Sequence, residues 1–451
     1  MRKFNIQKIV FSLSLLLFSI FFFKLSEVQA QTNSLDVLVS DTNEINQLKE
    51  EVSKLTNNLE FIEIPEINLL RIENPSDKVR KTIENTEEVE FYGKIADNVG
   101  LENTDLQVKQ VKTAINFKYM TEKNTIEKDL LNKLNWYVDS LTINKKSLDY
   151  SKGEGVKIGL IDSGVDLKHP LIKKSLNLNK AKSFVNQDQA IEDTNGHGTM
   201  VAGVISQIAP KAQLTPYRVM SSIDGESLWT LQAMVQAIND KQDILNMSLG
   251  TYKSENINDE KLTIEAFKRA IQFAKEKNVL IVSSSGNQQI DLDTNYNQNK
   301  ILHLPGDLEG VVTVSAINKD NSLADYSNTG SMIQFTAPGG EVVIDENGAL
   351  DARELIYTSY PLGLPNLYKE AGIPDGYTLT YGTSFSAAGI SAVFADYYSY
   401  YLTNSGGKPL PTEASNKIAT TSEDLGLLGK DSQYGYGLPN LLRAYGSSST
   451  N

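Results

Sequence analysis

The pattern of apolar and polar positions divides the chain into four parts of different texture. An almost unbroken apolar run, Ile9 to Phe23, lies near the start. Residues 34–94 alternate strand-like stretches with stretches of helical spacing, and residues 95–130 are polar with little periodicity. From Trp136 onward, short apolar runs alternate with longer helical stretches. These changes predict a targeting segment, a small domain, a linker and a large domain.

Residues 1–30 have the features of a secretory signal peptide. The basic residues Arg2, Lys3 and Lys8 precede the apolar run, and small residues follow it in the stretch that ends at Ala30. An uncleaved membrane anchor is the alternative, but the run is short for a spanning helix. We therefore expect cleavage after Ala30 and a secreted, extracellular protein with no stable membrane anchor after processing.

Residues 31–94 show the element order of a small α+β domain. The apolar spacing predicts strands at residues 35–39, 59–64, 69–72 and 89–92 and helices at residues 43–55 and 77–84. This β-α-β-β-α-β order is typical of a split βαβ, or ferredoxin-like, arrangement. The polar segment 95–130 predicts a linker, with a short helix near residues 126–134.

Residues 131–451 show the alternation of a parallel α/β domain. Apolar runs at residues 156–161, 244–247, 279–283 and 311–314 alternate with helical stretches such as 199–208 and 262–277. Buried strands that alternate with helices are typical of a parallel sheet flanked by helices.

Composition narrows the function classes. The 451 residues carry a net charge of −13, which argues against nucleic acid as a partner, since phosphate binding needs clustered Lys and Arg. The chain has no cysteine, so disulfides and thiol catalysis are excluded. Its three histidines are scattered and offer no metal-ligand spacing. We expect a monomer held together by its core.

Three short motifs supply the residue types of nucleophilic catalysis. An apolar strand ends at Asp162, His197 stands between glycines at a helix start, and Ser384 stands at another helix start. A serine hydroxyl becomes a good nucleophile when an adjacent imidazole takes its proton. A buried carboxylate holds that imidazole in one tautomer. Taken singly, the three could equally be a turn former, a core histidine and a helix cap.

In the order Asp, His, Ser, these motifs resemble those of the subtilase family. Residues 244–250 resemble the family's substrate-binding strand, residues 284–287 its oxyanion-hole turn and residues 435–440 its closing motif. The resemblance implies a subtilisin-like fold and a serine endopeptidase. In it Ser384 would attack the peptide carbonyl, His197 would act as base and then acid, and Asp162 would orient His197.

The same resemblance implies roles around the substrate. The Asn287 amide and the Ser384 backbone N–H would stabilise the oxyanion, and the substrate would bind as an extended strand. His303 aligns with the wall of the pocket for the residue before the cut, where the family turns its chain with a cis peptide bond. We expect that bond at Leu304–Pro305. The residues that would line the cleft are Ser248, Leu249, Gly250, Ser285 and Gly286.

Residues 31–94 resemble the inhibitory prodomain of subtilases, which assists folding and blocks the cleft with its C-terminal end. A parallel sheet folds slowly, which is a physical reason for such an aid. We expect the precursor to cut itself within residues 93–130. No arginine lies between Arg80 and Arg218, so a strict preference for arginine would leave no good site there. The cut would then use a lysine, a poor residue made acceptable by tethering, or another enzyme.

An active endopeptidase is favoured over a catalytically dead binding protein, because the triad and Asn287 are all present. The cysteine-free chain and the short loop after the His197 helix resemble bacterial epidermin-type leader peptidases, which process lantibiotic precursors and cut after arginine. A secreted protease of broader specificity is the alternative. Asp291, Asp293 and Asp307 are candidates to receive an arginine side chain.

Catalysis should require no cofactor, which leaves structural calcium to consider. Residues 205–210 pass directly from the His197 helix to the next strand, so the calcium loop found there in many subtilases is expected to be missing. Asp291, Asp293 and Asn295 place oxygen ligands at alternate positions, as calcium loops do. Tyr296 stands where an EF-hand would need glycine, and a polar surface loop is the alternative.

Overall fold

The computed structural model describes residues 33–56, 58–100, 133–185, 188–221, 224–344 and 349–446. The chain forms two compact units, Met1–Lys94 and Ile95–Asn451. The predicted signal peptide and most of the predicted linker lie outside the described residues. In the part of the chain that is described, no helix is long and apolar enough to cross a membrane.

The first unit is a four-stranded antiparallel sheet with two helices. Its elements are β1 (Ser34–Val39), α1 (Thr42–Ser53), β2 (Glu60–Ile64), β3 (Leu69–Glu73), α2 (Asp77–Glu84) and β4 (Val89–Gly93). The strand order β2-β3-β1-β4 is that of a ferredoxin-like sheet. Helix α1 begins where Asp41 and Glu44 form a capping box, and its apolar face buries Ile45 and Leu48 in the unit's core. Every predicted strand and helix of this segment is present.

The second unit is built around a seven-stranded parallel sheet and, in its described residues, also contains three two-stranded sheets. The strands of the whole unit are β5 (Asp97–Gly100), β6 (Lys157–Asp162), β7 (Lys182–Ser183), β8 (Gln213–Arg218), β9 (Asp224–Glu226), β10 (Ile244–Met247), β11 (Thr251–Ser254), β12 (Leu280–Ser284), β13 (Ile301–Leu304), β14 (Val311–Ile317), β15 (Ile333–Pro338), β16 (Ile356–Ser359) and β17 (Tyr377–Thr380). The central sheet has the order β15-β14-β12-β10-β6-β8-β7, with every pair parallel. This agrees with the alternation predicted from the sequence.

Helices cover this sheet and supply its core. They are α3 (Trp136–Leu141), α4 (His197–Ile208), α5 (Ser227–Asn239), α6 (Asn258–Glu276), α7 (Leu292–Asn299), α8 (Thr383–Ser405), α9 (Pro411–Thr421) and α10 (Leu441–Ala444). Helices α4 and α8 pack on each other and on the sheet. Helices α5 and α6 pack on each other, and α5 also contacts β6 and β8 while α6 contacts β11 and β12. Helix α8 is buried almost all round over its first four turns, which marks it as the central helix of the core.

The strand order brings the predicted motifs to one edge of the sheet. Strands β6, β10 and β12 are direct neighbours, and their carboxyl ends lead into Asp162, Ser248 and Ser285. In open parallel sheets, ligands bind outside the carboxyl ends of the strands. The candidate site therefore lies where this fold class places a cleft.

Strand β5 lies at the start of the segment predicted to be a linker, where the sequence predicted no strand. Residues 97–100 pair antiparallel with β9, and Gly100 also exchanges both backbone hydrogen bonds with Gly250, at 3.1 and 3.2 Å. Ile95 and Val99 are buried. Two apolar residues four apart fit one face of a strand or of a helix equally well, and the partners that complete the ladder lie more than a hundred residues away. Local pattern could not reveal this strand.

Candidate active site

Asp162 is the last residue of β6 and is fully buried. Its Oδ1 accepts hydrogen bonds from the Ser163 N–H and from His197 Nδ1, each at 2.8 Å. Because a carboxylate facing Nδ1 requires the proton on that nitrogen, Nε2 of His197 is left as the basic nitrogen of the ring. This is the tautomer that a general base needs.

His197 is the first residue of α4 and is 1% exposed. The helix start lies very close to the turn that follows β6, since a Cβ added to Gly198 would stand 2.0 Å from the Gly164 carbonyl oxygen. No side chain fits in that space, so the glycine after the histidine lets the helix reach the strand end. The imidazole and the carboxylate meet because of this close approach.

Asp193 anchors the same helix start and was not predicted as a site residue. Its buried carboxylate accepts from the backbone N–H groups of Asn195, Gly196 and Thr199 and from the hydroxyls of Ser163 and Thr199, at 2.7–3.0 Å. Ser163 in turn accepts from the Gly198 N–H at 2.9 Å. The network ties the turn after β6 to the start of α4. An acid in the turn sequence before Gly196-His197 was the available signal.

Ser384 is the second residue of α8, and its side chain is buried. Its Oγ lies 3.3 Å from the Ser248 carbonyl oxygen, while the Ser248 hydroxyl donates to the Ser384 carbonyl at 2.7 Å. The ring of the next residue, Phe385, has its centroid 5.8 Å from that of His197. The start of α8 therefore lies against both the histidine and the strand-end segment after β10.

Asn287 directs an amide N–H₂ into the site. Its Oδ1 accepts from the Thr383 N–H at 3.0 Å and from the Thr383 hydroxyl at 2.8 Å. A backbone N–H can only donate, so the amide atom facing it is the oxygen. The Nδ2 group is then the other end, and it is buried with no hydrogen-bond partner among the described residues. Such a donor is available to an oxygen of a bound substrate, beside Ser384.

The predicted cleft residues lie around these groups. Ser248 and Leu249 are buried in the segment after β10, and Gly250 pairs with Gly100. Across from them, Ser285 is buried and Gly286 adopts a φ of +107°. The backbone edge after β10 therefore pairs with one extended strand of this chain.

His303 lies on β13 and is fully buried beside the cleft segment. A Cβ added to Gly250 would stand 2.2 Å from His303 Nε2, so the ring presses directly on the backbone that pairs with β5. The predicted cis bond at Leu304–Pro305 is confirmed. His169 is buried elsewhere in the domain, and its Nε2 lies 2.6 Å from the Gly376 carbonyl oxygen.

The residues predicted for calcium do not form a calcium loop. Residues 292–299 are helix α7, which corrects both the ligand-loop and the surface-loop predictions. Asp291 caps this helix, Asp293 accepts from Ser331, and Asn295 accepts from Asn299. Among the described residues, no cluster of three or more His, Cys, Asp or Glu could hold a metal.

The candidate carboxylates for arginine recognition also have other roles. Asp291 and Asp293 are engaged as helix cap and loop partner. Asp307 is mostly buried, and one of its oxygens accepts from the His303 N–H at 2.8 Å. Burial raises the pKa of Asp307, although the neighbouring His303 opposes that rise. The neutral form of the Asp307 carboxyl is therefore favoured more than it would be at the protein surface, which makes Asp307 a weaker partner for an arginine side chain.

Comparison with known proteins identifies the class to which this fold and site belong. The subtilase family model matches residues 153–437, so the chain belongs to the subtilase family and is a serine endopeptidase with a subtilisin-like α/β fold.

Three relatives are similar over most of the chain. The epidermin leader peptide-processing serine protease EpiP of Staphylococcus epidermidis is 27% identical over 325 residues, which cover 64% of this chain and 68% of that protein. A crystal structure of a lanthipeptide protease is 36% identical, with a TM-score of 0.67 over 70% of this chain and 95% of that chain. The EpiP structure from Staphylococcus aureus has a TM-score of 0.71 over 94% of this chain and 100% of that chain. At 22% identity it shows the fold alone.

Proposed function

We propose that this endopeptidase uses Ser384 as nucleophile, His197 as general base and then general acid, and Asp162 as the group that orients and stabilises the imidazole. The observation that carries the proposal is the buried Asp162–His197 hydrogen bond of 2.8 Å at the start of α4, against which α8 brings Ser384. With its proton on Nδ1, His197 can take the Ser384 proton at Nε2 and later give it to the leaving amine.

The oxyanion formed in the tetrahedral intermediate would be held by two donors. One is the Nδ2 group of Asn287, whose orientation is fixed by Thr383. The other is the Ser384 N–H, which lies in the first turn of α8, where backbone N–H groups have no intrahelical acceptor. The positive end of that helix adds to the stabilisation of negative charge.

Substrate would bind as an extended strand between the two segments that hold β5. On one side lies the backbone edge at Gly250 and on the other β9. Added-strand binding takes its affinity from main-chain hydrogen bonds, so it accepts many sequences, and pockets for side chains select among them.

We further propose that the protein is secreted as a zymogen and that residues 31–94 are its inhibitory prodomain. The support is the ferredoxin-like fold of the first unit and the position of β5, which follows that unit directly and occupies the backbone edges a substrate would use. The physiological substrates of the mature protease are proposed to be leader segments of lantibiotic precursors, because a lanthipeptide protease and EpiP are among the relatives of this chain.

Competition between a precursor peptide and an unfolded protein tests this proposal. Mature enzyme should remove the leader from a lanthipeptide precursor at one bond, with a kcat/KM well above that for casein, and Ser384→Ala should do neither. Comparable cleavage of casein at many bonds would instead identify a secreted protease of broad specificity. Undiminished hydrolysis by Ser384→Ala would contradict the triad.

A further inference from the structure

We propose that Asn328 is a positioning residue of the active site, which acts through Asn287. Its buried side chain binds the turn that carries Asn287 and so fixes where the amide of Asn287 lies. This inference rests on the proposed function, because it takes Asn287 as a donor to the oxyanion. It adds to the site a residue that the sequence analysis did not mark.

The strand order brings Asn328 to this turn. Asn328 is fully buried in the segment that follows β14, and the turn follows β12, the parallel neighbour of β14 in the sheet. The two segments therefore leave the same edge of the sheet and run side by side. The Asn328 N–H donates to the Gly286 carbonyl at 2.9 Å, and the Thr329 N–H donates to the Ile290 carbonyl at 3.0 Å.

The side-chain amide of Asn328 adds four hydrogen bonds to these. Its Oδ1 accepts from the backbone N–H groups of Gln288 and Ile290, at 3.0 and 3.1 Å. Its Nδ2 donates to the Ser285 carbonyl at 2.9 Å and to the Tyr252 hydroxyl at 2.7 Å. Because a backbone N–H can only donate and a carbonyl can only accept, the orientation of the amide is fixed, and both of its ends are satisfied.

Asn287 lies between the residues that Asn328 holds. The carbonyl of Gly286, before it, accepts from the Asn328 N–H, and the N–H of Gln288, after it, donates to Asn328 Oδ1. Thr383 binds the Oδ1 of the Asn287 side chain. The backbone and the side-chain oxygen of Asn287 thus have separate partners, which leaves its Nδ2 in one place. A catalytic donor needs an accuracy of about 0.5 Å, and neighbouring hydrogen bonds supply it.

Gly286 makes room for this arrangement. A Cβ at Gly286 would stand 2.1 Å from Asn328 Nδ2, so no side chain fits between the turn and the amide. Gly286 also has a φ of +107°, a conformation that favours glycine. The missing side chain allows Asn328 to reach the Ser285 carbonyl. The turn and the Asn328 side chain therefore fit together as one unit.

The effect of Asn328 has an upper limit if it acts through Asn287. Loss of the Asn287 amide is expected to lower kcat about 10²–10³-fold, and a misplaced amide cannot lose more than an absent one. A shift of about 1 Å at a reacting centre can cost about 10²-fold. Asn328→Ala should therefore lower kcat about 10- to 100-fold and change KM little, because the amide acts mainly in the transition state.

Steady-state kinetics on one chromogenic peptide tests this effect. Asn328→Asp, which keeps the volume but places an oxygen against the Ser285 carbonyl, should lower kcat in the same way as Asn328→Ala. End-point labelling with a fluorophosphonate counts the folded active sites, so that an unfolded fraction does not enter kcat. Wild-type kcat in both variants, or a change confined to KM, would overturn the inference.

Asn318→Ala is the matched control. The Asn318 side chain also accepts from two backbone N–H groups, those of Asp320 and Ser322, but its partners belong to neither cleft segment. This variant should keep kcat within about twofold of the wild type. If it gives a normal yield of labelled enzyme and both Asn328 variants give none, Asn328 serves folding alone and the inference is wrong.

Combination with Asn287→Ala separates positioning from a general defect of the site. In that background, Asn328→Ala should lower kcat further by less than about threefold, because the amide that Asn328 positions is already gone. Full multiplication of the two separate effects would show that Asn328 acts by another route and would contradict the inference. If Asn287→Ala alone keeps the wild-type kcat, the proposed oxyanion role fails instead, so the two failures are distinct.

Discussion

The orientation of one amide decides what Asn287 can do. Since Thr383 presents two donors to the side chain, Oδ1 must face α8 and Nδ2 must face the site. The Nδ2 group is buried and held in this orientation, so it can donate to an oxyanion that forms beside it. Negative charge on that oxygen develops only in the transition state, where the interaction is therefore strongest.

Replacing Asn287 by Ala should therefore lower kcat by about 10²–10³-fold and change KM little, because the lost interaction exists mainly in the transition state. Steady-state kinetics on one chromogenic peptide measures both constants. Asn295→Ala, an amide on α7 away from the triad, is the matched control and should be unaffected. A change confined to KM would show that Asn287 only binds substrate.

At the scale of single elements, the start of α4 depends on Asp193. Five donors converge on this buried carboxylate, and together they link the turn after β6 to the first turn of the helix that carries His197. An asparagine there would present one acceptor oxygen and two donors of its own to a set of donors.

Asp193→Asn should lower the free energy of unfolding by about 2–4 kcal/mol, because buried donors lose their acceptor. Urea unfolding measured in the Ser384→Ala background avoids self-digestion. Asp139→Asn, a half-exposed acid of α3 whose Oδ1 lies 3.8 Å from Lys145 Nζ, should change stability by less than about 0.5 kcal/mol. Equal stability of Asp193→Asn and its background would show that the network is not needed to hold α4.

Elements with a strong local pattern could be predicted from the sequence, and those completed by distant partners could not. Strands of the ferredoxin-like unit and the parallel sheet carry their own apolar periodicity. Strand β5 has one buried apolar residue, Val99, and depends on Gly250 and β9 for its hydrogen bonds. In the same way, α7 has a polar sequence rich in asparagine and little apolar periodicity, and Asp291 caps its first turn.

At the site, the sequence allowed the catalytic residues to be predicted from their types and motifs, but it did not predict the contacts between distant residues. The chemistry of Asp162, His197 and Ser384 was visible in three motifs, and the structure brings the first two into direct contact. Asp193 was missed because three of its five donors are backbone N–H groups, which a sequence motif does not display. The role of Gly250 as the pairing partner of β5 depends on a contact across the whole domain.

At the scale of the whole molecule, Asp396 makes stability depend on pH. It lies in the buried middle of α8, and burial raises its pKa to about 7, although the hydroxyls of Ser151 and Tyr445 favour the charged form. The folded state therefore holds this proton up to about pH 7, whereas the unfolded chain loses it near pH 4. Stability from this group is fully present below pH 4 and is lost as pH rises through 7.

Asp396→Asn should remove that dependence, which amounts to roughly 4 kcal/mol between pH 4 and pH 7. In the Ser384→Ala background, the variant should melt at a higher temperature than the parent at pH 8 and near the parent's temperature at pH 4. Asp149→Asn, an exposed acid, is the control and should shift neither. If Asp396→Asn and the parent differed in melting temperature by the same amount at pH 4 and at pH 8, this reading of Asp396 would be contradicted.

The central claim is that His197 activates Ser384, and fluorophosphonate labelling tests it most directly. Peptide mapping of the mature wild type should find the label on Ser384 alone, and His197→Ala should label at least a hundredfold more slowly while circular dichroism shows the same fold. Labelling at another residue, or at an undiminished rate in His197→Ala, would contradict the account.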